Sequence, residues 1–181
     1  MYRHQAAIAG ALLLLVSPAD AQTVPPAPPG APINRMMDIW PGIVFVCVPD
    51  TKLKWSFPAC EGIEKEAQRL AEAGKVRIAI AGTPKAPADP KEAARQAGFD
   101  GERALSIVAK FASAANAGSD LSLQATSRAD ANPGVTAPLY RTVYAQSAIL
   151  RQSATAGDAV ATGKTMLEGL FKGVLLQPVK R

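Results

Sequence analysis

Residues 43–48, Ile-Val-Phe-Val-Cys-Val, are apolar at every position, so neither face of this segment suits water, and the run predicts a central strand buried on both sides. The spacing then changes. From Pro58, Cys60, Ile63, Ala67, Leu70 and Ala71 recur at intervals of three and four, which predicts a helix over 58–73 with Gly74 as its stop. Residues 75–81 set Val76, Ile78 and Ile80 against Arg77 and Ala79, the alternation of a second strand. Residues 82–101 are loose and proline-rich. They read as a surface excursion holding one short helix, with Asp89 as N-cap, Pro90 in the first turn, Glu92 at the third position and Gly98 as stop.

Residues 104–113 fit two patterns. A helix would align Leu105, Val108, Phe111 and Ala115, and a strand would alternate Leu105, Ile107, Ala109 and Phe111. The neighbouring segment decides for the strand, because 120–128 alternates Leu121, Leu123 and Ala125 against Ser122, Gln124 and Thr126, and 116–119 supplies a hairpin loop. A turn cluster at 130–138 leads to a further strand over 139–150, with Tyr140, Val143, Tyr144 and Ile149. From Asp158, Val160, Gly163, Leu167, Phe171 and Val174 mark one helical face as far as 176–178. Glycine inside a helix costs about 1 kcal/mol relative to alanine, so Gly163 and Gly169 are expected to serve close packing against the sheet. The sum is an α+β fold, a two-layer sandwich in which a mainly antiparallel sheet of about five strands carries helices packed on one face. This order resembles that of the TolB N-terminal domain, an envelope-assembly module, in order alone and with no shared motif.

The first residues form a different unit. Arg3 precedes an apolar stretch over 6–16 and a polar exit over 17–22, the order of a secretory signal peptide. Ala19 and Ala21 put small side chains three and one places before Gln22, so cleavage is expected between Ala21 and Gln22. As a helix the apolar stretch rises about 16 Å, against about 30 Å for a bilayer core. Residues 23–32 hold prolines at 25, 26, 28, 29 and 32 and read as an extended spacer. The expected organisation is a signal peptide over 1–21, a proline-rich tether over 22–39, one domain over 40–178 and a tail over 179–181. No later stretch is long and apolar enough to span a bilayer. The cleaved protein is therefore expected to be soluble, without stable membrane insertion, and periplasmic or secreted.

Composition narrows the chemistry. The chain has a net charge of +5, and losing Arg3 and Asp20 with the signal leaves that balance unchanged. Basic residues are scattered and not interleaved with aromatics, which argues against nucleic acid as a partner. The single histidine is His4, inside the signal, so the mature chain is without Ser-His-Asp, Cys-His and histidine-zinc arrangements. No cofactor or metal site is expected. Residues 157–165 look like a phosphate-binding loop but carry five residues between the glycines where four are needed, and residues 130–134 start like a calcium loop but meet Arg141 where a glutamate belongs. Glu61 and Glu64 lie three apart on the first helix, where nothing positions a substrate between them.

Cys47 and Cys60 are the only two cysteines, an even pair in an exported chain, and are expected to form a disulfide. The loop between them brings Lys52, Lys54 and Trp55 together, two cations and an indole that could grip an envelope protein or an anionic glycan. The preferred reading of these residues is that Trp55 and Phe57 cover the edge of the core while the lysines are solvated. Sequence therefore favours a non-catalytic envelope domain that binds another envelope component. The alternatives are a small secreted enzyme using carboxylate or lysine chemistry, and a carrier of apolar ligands.

Overall fold

The computed structural model describes residues 35–83, 87–114, 118–129 and 139–178. Ala19, Ala21, Gln22, the proline-rich spacer, the turn cluster over 130–138 and the tail over 179–181 lie outside the described residues.

The expected α+β sandwich is present, built on one five-stranded sheet. In chain order the elements are β1 (Ile43–Val48), α1 (Ser56–Ala73), β2 (Ile78–Ala81), α2 (Pro90–Gln96), β3 (Leu105–Ala114), β4 (Gly118–Ala129), β5 (Leu139–Leu150) and α3 (Ala156–Leu170). The strands lie side by side as β2-β1-β3-β4-β5. β1 pairs in parallel with both β2 and β3, and the longer β3–β4 and β4–β5 pairings are antiparallel. The sheet is thus mixed. A helix between two strands returns the chain to the end where it began, so α1 and α2 deliver parallel neighbours, whereas short connections deliver antiparallel ones. The segment that fitted both helix and strand is β3.

α1 and α3 lie together on one face. Beneath them Ile43, Phe45 and Cys47 of β1, Leu105, Ile107, Ala109 and Phe111 of β3, and Leu121, Leu123 and Ala125 of β4 form the main core. The short α2 adds cover to the other face at the β1–β2 end. There Ala93, Ala94 and Phe99 meet Val44, Ala79 and Ala81 in a second, smaller core, so residues 82–101 contribute packing as well as surface. Met36–Ile39, within the span read as tether, form a 3-10 turn with Met37 in the main core, held by Arg35, whose guanidinium donates to the Gly74 carbonyl at 2.8 Å.

α1 begins two residues before Pro58, which sits in the first turn where the missing N–H is not needed. At its other end the left-handed residue is Lys75 (φ +54°), not Gly74. Gly74 serves space instead: a Cβ there would come within 3.0 Å of the Leu176 side chain. α2 follows its expected signals, with Asp89 accepting from the Lys91 amide and Gly98 at φ +77°. After α3, Phe171–Leu175 widen into a π turn.

Gly163 and Gly169 of α3 divide their work. Gly169 faces the sheet, 3.1 Å from the Tyr144 hydroxyl measured from a built Cβ, but Gly163 faces α1, where the same atom would lie 2.7 Å from two Ile63 carbons. Gly62 of α1 answers it against Val160 at 2.5 Å. Ile63 is fully buried and has nowhere to retreat. Overpacking typically costs about 1–3 kcal/mol, and the gain in helix propensity returns about 1 kcal/mol. Gly163→Ala is therefore expected to lower stability by about 1 kcal/mol in denaturant unfolding. At Gly173 a Cβ meets nothing, so Gly173→Ala is expected to raise stability by about 0.5 kcal/mol. Equal effects at the two positions would refute the tight α1–α3 contact.

Candidate functional site

β1 and β3 end, β4 begins, β5 ends, and α1 and α3 begin at the same pole of the molecule. The loop from Pro49 to Trp55 crosses this pole and is anchored in three ways. Cys47, at the inner face of β1, is bonded to Cys60 in α1 with their Cα atoms 5.5 Å apart, inside the range a disulfide spans. The two apolar positions had to converge for this, and both cysteines are buried.

Asp50 provides the second anchor. One carboxylate oxygen accepts the Lys52 amide at 2.9 Å, and the other accepts the Ser113 amide at the end of β3, at 2.6 Å. These backbone donors, Lys52 before Ser113, hold the Asp50 carboxyl below its ordinary range. Its own carbonyl accepts from the Ser56 hydroxyl at 3.0 Å and from the Leu53 amide at 2.9 Å. Sequence reasoning missed Asp50. Its position after Pro49 signals a turn, but a partner 63 residues away leaves no local pattern.

Trp55 is the third anchor. It is half-buried against the main core, edge-on to Phe111 with ring centroids 5.5 Å apart and planes at 85°. The three residues singled out in the sequence therefore share one loop but not one role: Lys52 and Lys54 are exposed, and the indole is seated on the core edge. Phe57, 49% exposed, presents the apolar surface that Trp55 does not. Lys110 and Arg151 are exposed at the same pole, brought there by the β1–β3 and β4–β5 pairings.

The P-loop look-alike is the start of α3. Thr155 caps it, and the Asp158 carboxylate accepts from both the amide and the hydroxyl of Thr155 at 2.8 Å. The calcium-like stretch falls outside the described residues. Among the described residues, no group of three or more His, Cys, Asp and Glu side chains could hold a metal, and no helix is long and apolar enough to cross a membrane.

Glu64 is half-buried on α1, and its carboxyl is pushed up to about 7, mainly by desolvation and then by the Glu61 charge. The folded protein holds this proton more tightly than the unfolded chain does. Stability from this group is therefore complete below about 4.5 and is lost as pH rises towards about 7. Glu64→Gln is expected to remove that loss, making the variant more stable than the parent at pH 8 and nearly equal to it at pH 4. Parallel stability–pH curves for the two proteins would refute the shift.

The chain matches no protein-family model, no curated protein and no solved structure.

Proposed function

We propose that this protein is exported and acts in the periplasm or outside the cell as a non-catalytic domain, binding an envelope protein or glycan with an anionic surface through the loop 50–57. The observation that carries this reading is the way the loop is held. A disulfide, the Asp50 hydrogen bonds and the seated Trp55 fix a backbone that extends Lys52, Lys54 and Phe57 into solvent. A fixed loop loses little freedom on binding, so its cations are available at low entropic cost. The disulfide is also what an oxidising compartment maintains.

The test is retention on an immobilised sulfated glycan together with N-terminal sequencing of the protein from its native compartment. The chain is expected to begin at Gln22. Reversing an exposed charge changes an interaction by about 0.7 kcal/mol, so Lys52→Glu with Lys54→Glu is expected to weaken binding about tenfold while leaving the thermal midpoint in place. Unchanged retention would reject the loop as the binding element, and a retained residue 1 would reject export.

One observation favours carboxylate catalysis as a second reading. A carboxyl near neutrality, as at Glu64, is what a general acid or base needs. Its only carboxylate companion one turn away is Glu61, and the burial that shifts Glu64 also limits access to it.

A further inference from the structure

The sheet ends in two unlike edges. β2 is four residues long with α2 packed beside it, whereas β5 is twelve residues long and, among the described residues, pairs only with β4. A long edge strand offers a row of unsatisfied N–H and C=O groups, and proteins usually blunt such edges with charge, proline, shortening or a β-bulge. β5 has no proline and a single charge, Arg141. Its one irregularity is a bulge, because Ala125 pairs with Tyr144 and Thr126 with Thr142, so that Val143 is skipped.

The two most exposed large apolar side chains of the described residues, Tyr140 at 69% and Ile149 at 78%, both lie on this strand. Both project from the outer face, because their β4 partners, Arg128 and Asp120, alternate with the buried Leu121, Leu123 and Ala125. The outward positions after Ala145 are Ser147 and Ile149. Before it, across the bulge, they are Thr142 and Tyr140. Reversing the strand about Ala145 therefore lays one half on the other.

We propose that β5 pairs antiparallel with β5 of a second copy of this chain, around a twofold axis at Ala145, so that one continuous sheet runs through both molecules. In this register Tyr140 stands opposite the partner's Ile149 and Thr142 opposite the partner's Ser147, and the bulge of each strand faces the partner's Gln146. A C2 interface is self-complementary, so both apolar contacts form by symmetry, whereas a foreign strand would have to supply each separately. Charge favours the same occupant. Each Arg141 falls opposite an alanine, and the two are about 20 Å apart along the strands at about 3.4 Å per residue. That is well beyond the screening length of about 8 Å at physiological salt.

Ala145 gives the test, since at the axis it meets its own copy and its side chain is exposed in the monomer. Lys at this position places two cations face to face, Glu places two anions, and a mixture places one of each. Sedimentation of the purified protein is expected to show a dimer at tens of micromolar. Ala145→Lys and Ala145→Glu are each expected to weaken it about a hundredfold, as directly opposed like charges do, with unchanged thermal midpoints, and an equal mixture of the two should restore it. A parent that remains monomeric up to roughly 100 μM, single variants that dimerise like the parent, or a mixture that stays monomeric would each overturn the proposal.

Discussion

Removing the Cys47–Cys60 bridge is expected to lower stability by about 3 kcal/mol, as the chain-entropy relation gives for a loop of this size. The sequence separation is 13 residues. For a domain of this length each kcal/mol moves the thermal midpoint by about 2–4 °C, so reduction, or Cys47→Ala with Cys60→Ala, should lower it by about 6–12 °C. The loss has a local signature as well. The bridge ties the end of β1 to the first turns of α1, and every residue of loop 50–55 lies between them. Amide exchange at Lys52 and Leu53, protected by Asp50 in the bonded protein, should accelerate more than exchange in β3 and β4. A shift below about 1 kcal/mol would mean that the remaining anchors define the loop alone. A protein that needs this bridge gains from an oxidising compartment, which ties the stability measurement to the export proposal.

Elements whose signal is local could be read directly. The all-apolar run of β1 needs cover on both faces, and it has α1 on one and α2 on the other. The capping residues of α2, and the hairpin pattern that selects β3, act within a few positions of themselves. What could not be read was which surfaces meet. The spacing of Gly163 shows that something must approach closely, but a glycine on a helix face carries no mark to say whether a strand or another helix arrives there, and here it is Ile63 of α1. In the same way, adjacency in the sequence places Trp55 beside two lysines, and only the β1–β3 pairing brings Phe111 underneath it. The cations of the candidate site and its disulfide were therefore legible from the sequence, and the Asp50 hydrogen bonds and the ring beneath Trp55 were not.

Trp55→Ala is expected to cost about 3 kcal/mol, the lower end of the range for removing a buried aromatic, because the indole is half-buried and not enclosed. Part of that cost belongs to the pair. An edge-to-face contact contributes about 1 kcal/mol beyond area burial, so a double-mutant cycle of Trp55→Ala with Phe111→Leu should show coupling of about 1 kcal/mol. Trp55→Phe keeps an aromatic edge at the site and should recover much of the loss. If Trp55→Ala instead leaves the stability within about 1 kcal/mol of the parent, the indole is not part of the core and must be counted with Lys52 and Lys54 as a contact residue. The expected result has a consequence for binding experiments. An alanine at position 55 unseats the loop as well as removing the ring, so lost binding in that variant cannot be assigned to the indole. The exposed lysines can be reversed without touching the core, which makes them the residues that separate recognition from folding at this pole.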